Sequence, residues 1–168
     1  ETLPYNSYNE EQDITLEYLD TYTEMNATIT LGYGLFDMTI TGAVDTTILG
    51  EYLVTYSYTD IEDNIHSFVR TIQVVDSTKP VIDINGDSTI VVKLNDSYTD
   101  QGAIVTDNYD PSLILYIDDS NVDLTTVGTY YVYFNVTDSN GNIAEEGSRE
   151  VQVIYNTPTI TMKDIEGT

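Results

Sequence analysis

The chain has no cysteine, no tryptophan, a single histidine (His66) and only five basic residues in 168 positions. Without cysteine, no disulfide can brace a small fold, so metals or neighbour contacts become the candidates for that task. A lone histidine without cysteine cannot build a transition-metal site of the ordinary kind, and His66 reads as an ordinary surface residue. Five Lys and Arg stand against 29 Asp and Glu, for a net charge of −24. That balance excludes nucleic acid as a partner, because affinity there rests on basic groups neutralising phosphates. It disfavours anionic membranes for the same reason. No apolar run approaches the about 18 residues of a membrane-spanning helix, and no charged-then-apolar leader stands at Glu1.

What is abundant is β signal. Fifteen tyrosines join Thr, Val and Ile in segments that alternate with period two. Ile90, Val92 and Leu94 oppose Val91 and Lys93, while Tyr130, Val132, Phe134 and Val136 oppose Tyr131, Tyr133 and Asn135. In the first half, Tyr52, Val54, Tyr56 and Tyr58 oppose Leu53, Thr55 and Ser57. No stretch holds a helical period. The acidic residues are interleaved with this apolar pattern, which argues against disorder. The acidity itself has three readings: a solvated self-repelling surface, divalent-cation sites, or adaptation to high salt.

The chain also repeats. Ile14–Glu24 aligns with Ile90–Asp100, Val44–Tyr52 with Val122–Tyr130, and Tyr58–Asp60 with Val136–Asp138. Pro4, Pro80 and Pro158 open successive units at a spacing of about 77 residues, the mark of an array of small domains. The expected organisation is domain 1 over 1–76, domain 2 over 77–156, and the first strand of a following repeat over 157–168. Turn clusters at Asn85-Gly86-Asp87, Asn108–Pro111 and Ser139–Asn142 punctuate the second unit. They separate seven short strands: 80–84, 89–94, 103–106, 113–117, 122–124, 128–137 and 147–154. The fold class expected is therefore all-β: two tandem immunoglobulin-like seven-stranded β-sandwiches. Unit one follows the same plan, with Phe36, Met38 and Ile40 inward where unit two has Ile114 and Tyr116.

The string Asp76–Pro80, then Tyr98–Ala103, Thr106–Asp110, Val127–Tyr130 and Val136–Asn142 resembles the bacterial surface-protein Ig-like repeat, itself similar to hyalin-type repeats. The resemblance covers nearly all of unit two. Unit one keeps Gly50-Glu-Tyr52 and Tyr58-Thr-Asp60 but has Leu31-Gly-Tyr-Gly34 where unit two has Asp107-Asn-Tyr-Asp110. The resemblance implies tandem non-catalytic modules of secreted or cell-surface proteins, serving as stalks, spacers or adhesive segments.

In such a sandwich the B–C and F–G loops share the end at which the chain enters. Asp107, Asn108 and Asp110 then approach Asp138, Asn140 and Asn142, with Asp76 arriving from the linker. Calcium takes six to eight hard oxygen ligands, which Asp and Asn on tight turns supply. The plain alternative is that Asp and Asn are common turn formers. The expected cofactor is Ca²⁺, with Asp76, Asp107, Asn108, Asp110, Asp138 and Asn140 as the metal set. The matching turn of unit one offers Asp60, Glu62 and Asp63 without an acidic partner loop. Three sequons, at Asn26, Asn95 and Asn135, mark possible glycosylation sites. No lysine is placed for an intramolecular isopeptide link, because Lys79 lies in the linker, Lys93 points outward and Lys163 belongs to the next repeat. Gly32-Tyr-Gly34 lacks the helix and the basic residue of a phosphate loop.

The function expected is a non-catalytic, extracellular or cell-surface segment, stiffened by calcium, whose partners are the neighbouring repeats. Other copies of the chain, a surface protein or a glycan are the further candidates. The alternatives are a subunit of a self-assembling surface layer or filament, and a carbohydrate-binding accessory module. Tyr131 and Tyr133 could serve either through stacking, or could simply protect a sheet face.

Overall fold

The computed structural model describes residues 13–158 except 25 and 33. The chain divides into two compact units, Glu1–Thr78 and Lys79–Thr168. The expectation for 157–168 as an incoming strand falls almost wholly outside the described residues, as does the segment around Pro4.

Unit one contains β1 (Ile14–Glu17), β2 (Thr28–Leu31), β3 (Gly34–Asp37), β4 (Thr39–Thr41), β5 (Gly50–Thr59) and β6 (Ile65–Val75). Unit two contains β7 (Val81–Ile84), β8 (Thr89–Lys93), β9 (Ala103–Thr106), β10 (Tyr116–Asp118), β11 (Gly128–Asn135) and β12 (Gly147–Ile154). Each unit pairs a four-stranded sheet with a two-stranded one: β1-β6-β5-β4 with β2-β3, and β10-β11-β12-β8 with β7-β9. The pairings are antiparallel except β1 with β6 and β8 with β12, which run parallel. In these, Ile14 sits opposite Ile72 and Val92 opposite Val153.

The cores lie where the alternation puts them. Val54, Tyr56 and Ile72 are buried in unit one, packed by Tyr22, Met38, Ile40 and Tyr52 among others. Val92, Val132, Phe134 and Val151 are buried in unit two, covered by Ile82, Ile84 and Ala103 from the smaller sheet. Each buried side chain of this size contributes roughly 1.5–3 kcal/mol.

Six strands per unit are described where seven were expected. Residues 122–124 of unit two form no ladder. Val122 donates to the Asp119 carbonyl at 3.0 Å, and the Asp123 carboxylate holds the Thr125 N–H at 2.8 Å and its hydroxyl at 2.6 Å. The backbone is thereby committed to a turn, although Val122 and Leu124 still pack on the core. The strand expected over 113–117 begins at Tyr116 instead, and its faces are reversed. Leu115 packs inward, while Ile114 is 87% and Tyr116 64% exposed. A one-residue slip exchanges the faces of a strand, and here Leu113 and Leu115 supply the apolar side. Phe36 is exposed as well, because β3 pairs only with β2 and all four of its residues are open to solvent.

Two local devices recur in both units. Tyr52 and Tyr130 each donate a hydroxyl four residues back, to the carbonyls of Ile48 at 2.8 Å and Thr126 at 3.0 Å. This is the tyrosine corner of immunoglobulin-like domains. Leu19 and Asn95 both adopt φ 66° and donate their N–H to Thr46 and Leu124 at 2.9 Å, so the aligned turns match atom for atom.

A third device places charge in the core. The only two arginines, Arg70 and Arg149, sit opposite Val54 and Val132 in equivalent registers. Arg149 is fully buried, pairs with Asp100 at 3.2 Å and donates to the Asn85 carbonyl at 2.6 Å. Asp100 also accepts the Tyr98 hydroxyl at 2.5 Å and the Gly102 N–H at 2.6 Å. In unit one Arg70 lies 3.4 Å from Glu24, which accepts the hydroxyls of Tyr22 and Tyr56. Desolvation foremost, then the carboxylate hydrogen bond, pushes the Tyr56 and Tyr98 hydroxyls well above the usual phenol range. Each lock ties the long segment that follows β1 in unit one and β8 in unit two to an arginine of the unit's last described strand.

Candidate metal centre

The second unit brings its B–C and F–G loops together. As β9 ends at Thr106, the Asp107 Oδ1 atom accepts the N–H groups of Tyr109 at 2.9 Å and Asp110 at 3.0 Å, folding the loop back on itself. Asp110 then reaches across: its Oδ2 accepts the Ser139 N–H at 2.6 Å and its Oδ1 the Ser139 hydroxyl at 2.9 Å. Beyond β11, residues 138–142 form a tight turn, with Gly141 at φ 92° supplying the left-handed step. Asp138 organises that turn. Its Oδ1 accepts the N–H of Asn140 at 2.9 Å and of Asn142 at 2.7 Å, and its Oδ2 accepts the Asn142 side chain at 2.7 Å.

One carboxylate oxygen of Asp107 and one of Asp138 lie within 4.8 Å of each other. Asp138 is buried, and Oδ2 of Asp107 is buried without a hydrogen-bond partner. None of the described salt bridges reaches either group. Burial acts to raise the Asp138 carboxyl, but hydrogen bonds from Asn142, Asn140 and Gly141 outweigh it and hold the group below the usual carboxylate range. Two carboxylates converge here with oxygen donors around them and no basic side chain between them. That donor set suits a hard cation and offers nothing for nucleophilic or transition-metal chemistry.

The remaining members of the expected set are distributed unevenly. Asn108 and Asn140 are exposed on the two loops. Asp110 has both oxygens occupied by Ser139, which makes it a clasp between loops. Asp76 belongs to the first unit, follows β6, is buried, and accepts the Thr78 N–H at 3.3 Å. Of the sequon asparagines, Asn26 and Asn95 are exposed, and Asn135 donates to Glu146 at 3.1 Å.

The matching turn of unit one is closed differently. Asp60 accepts the N–H groups of Glu62 and Asn64 and the Asn64 side chain, as Asp138 does. The His66 ring nitrogen then lies 2.8 Å from Asp60 Oδ2, where the aligned residue of unit two is Ala144. His66 also stacks on Tyr58 with ring centroids 4.9 Å apart. His66 foremost, then the Asn64 N–H, holds the Asp60 carboxyl well below its ordinary range. The expectation of a plain surface histidine missed this. The aligned Thr-Asp dipeptides located the turn, but six residues separate the carboxylate from the ring.

The family model for the bacterial surface protein Ig-like domain matches residues 7–74 and 82–153. The chain belongs to that family. Its two Ig-like domains are consecutive copies of one module, and the family places such modules in bacterial surface proteins. No curated protein matches the chain. Two solved structures are similar to it. A lipoprotein from Bacteroides thetaiotaomicron is 18% identical over 76% of this chain, with a TM-score of 0.35, and this chain covers 57% of that one. The fibronectin(III)-like modules of Clostridium thermocellum CbhA are 10% identical over 96% of this chain and 99% of theirs, with a TM-score of 0.40.

Proposed function

We propose that this chain is a non-catalytic stalk or spacer segment of a secreted or cell-surface protein, and that the loop tip of its second Ig-like domain takes up a divalent cation, calcium foremost. The stalk reading is supported by tandem membership of the surface Ig-like family. The cation reading is carried by one observation: the Asp107 and Asp138 carboxylates converge within 4.8 Å while Asp107 Oδ2 has no partner. Like charges held this close repel unless a counter-ion lies between them. Asp107 and Asp138 are the carboxylate ligands, Asn108 and Asn140 sit on the same loops to add oxygens, and water completes a shell of six to eight.

Extracellular calcium modules bind at about 10⁻⁴–10⁻³ M. Calcium at about 1 mM then stabilises the folded chain by about 0.4–1.4 kcal/mol through mass action, a rise of a few degrees in melting temperature. The measurement is a thermal melt of the whole chain in calcium and in chelator at one ionic strength. Asp107→Asn and Asp138→Asn each lose the gain. In chelator Asp107→Asn melts no lower than the parent, since a repulsive contact has been removed. Asp76→Ala reports whether the linker aspartate adds to the shell. Superimposable melts of the parent in calcium and in chelator would falsify the cation site, leaving these aspartates as turn formers.

A further inference from the structure

The second domain has a cavity of 380 Å³ beside β8, and two of the chain's five basic residues, Lys93 and Arg149, line it. β8 ends its sheet and pairs only with β12, so one edge of the strand is open. Ser88 accepts the Glu150 N–H at 2.9 Å, and Leu94 donates to the Ile154 carbonyl at 2.8 Å. By that parity the even-numbered residues of β8 bond to β12, and Val91 turns its N–H and C=O to the open edge, where it lines the cavity. The segment after β8 adds Asp96, Ser97, Thr99 and Gln101 to the wall, all of them exposed. Two positive groups of this wall are unmet. Among the described residues Lys93 is the one Lys or Arg without a salt bridge, although acidic residues outnumber basic ones 29 to 5. Arg149 is fully buried, with Nε towards Asp100 and Nη2 on the Asn85 carbonyl, but its Nη1 has no hydrogen-bond partner. A buried donor left so is costly, and a ligand oxygen would recover that cost. The first domain differs here. The residue aligned with Lys93 is Glu17, whose carboxylate is taken up by the N–H and hydroxyl groups of Ser77 and Thr78.

We infer that this cavity binds a hydroxylated carboxylate of the size of one uronic-acid ring. The charge comes from Lys93, whose ammonium has no carboxylate of its own to hold. Asp100 already balances Arg149, so Nη1 acts as a fixed hydrogen-bond donor to a ligand oxygen. Asp96 repels a bare anion but accepts protons from ligand hydroxyls. Ser97, Thr99 and Gln101 both donate and accept. A wall of this kind matches a carboxylate that carries hydroxyls better than either group alone. The volume lies at the low end of small-molecule sites, which run from about 300 to 1,000 Å³, and so has room for a single ring. The net charge of −24 opposes any anion at long range. At about 0.15 M salt, however, the screening length is about 8 Å, so the groups of the cavity act on its occupant more strongly than distant carboxylates do. One charged contact and a few exposed hydrogen bonds make the binding weak, in the millimolar range.

The inference goes beyond the stalk and cation readings and is tested apart from them, in chelator throughout. Sodium galacturonate, glucose and sodium acetate are titrated separately into the isotope-labelled whole chain, and amide chemical shifts are followed by NMR. Galacturonate is expected to move the amides of residues 90–101 and of Arg149, while the aligned residues 14–24 of the first domain stay still. Glucose has the hydroxyls without the charge and acetate the charge without the hydroxyls, so each is expected to bind at least about tenfold more weakly. Lys93→Glu puts the first domain's residue at an exposed strand position and is expected to weaken galacturonate by about tenfold or more, while Lys93→Arg retains it. Lys79→Glu removes a basic residue that does not line the cavity and is expected to bind like the parent. No shift with galacturonate through the tens of millimolar overturns the inference. So does glucose or acetate binding as well as galacturonate, Lys93→Glu binding like the parent, or equal shifts at residues 14–24.

Discussion

At the scale of single residues, the arginine–carboxylate–tyrosine locks were visible in the sequence but illegible to pattern reasoning. Tyr22-Thr-Glu24 and Tyr98-Thr-Asp100 align across the repeats, yet nothing in them announces a distant arginine. The missing signal was phase: Arg70 falls in step with Phe68 and Ile72, and Arg149 with Val151 and Val153, on the inward side of their strands. Charge on an apolar face is discounted by a rule that counts hydrophobic alternation, so both were passed over. The two locks also differ in depth, which yields a prediction. Arg149→Met leaves Asp100 buried and unpaired, an error that costs about 3–5 kcal/mol. Arg70 is partly exposed and 3.4 Å from its partner, so Arg70→Met costs markedly less. Urea midpoints of the two variants should fall in that order, and equal losses would show that the locks are equivalent.

At the scale of elements, the strands with strict alternation, β5, β8 and β11, were fully legible because one face is core and the other solvent. The edge pieces were not. Residues 113–117 carry apolar groups on both faces, so alternation alone could not choose between Ile114 and Leu115 as the inward set. Residues 122–124 read as a strand by composition, but Asp119 and Asp123 turned their backbone into turns. The loop tip of the second domain was legible because Asp and Asn clusters mark both loops. The capture of Asp60 by His66 was not.

These aspartate-held turns set the acid limit of the fold. Thr47 holds Asp45 below the usual carboxylate range, Ser120 does so for Asp118, Thr125 for Asp123, and His66 for Asp60. Their ionised forms are favoured in the folded state, so their contribution is complete above the unfolded value of about 3.9 and fades as pH falls below it. Urea midpoints measured in high salt, where general repulsion is screened, should be level down to about pH 5 and decline below about 4. A midpoint that rises on acidification in high salt would show that charge relief outweighs the turns.

At the scale of the whole chain, each unit gathers its own core from its own strands. Residues 77–156 alone should therefore fold to a β-rich monomer under dilute, low-salt conditions, read by circular dichroism. A random-coil spectrum would mean that the second domain depends on the first. Cores this small are marginal, which is where a bound cation contributes most.

The parallel ladders of β1 with β6 and of β8 with β12 have a mechanical consequence. In each unit the later member of the ladder is the last described strand, while the earlier member is β1 in unit one and, in unit two, β8, which follows β7. Tension along the chain drags the two strands past one another in opposite senses. Every rung of the ladder then bears load at once, instead of opening singly from one end. Val92 against Val153 and Ile14 against Ile72 are thus shear contacts, and the parallel ladder is the part of each domain that yields last.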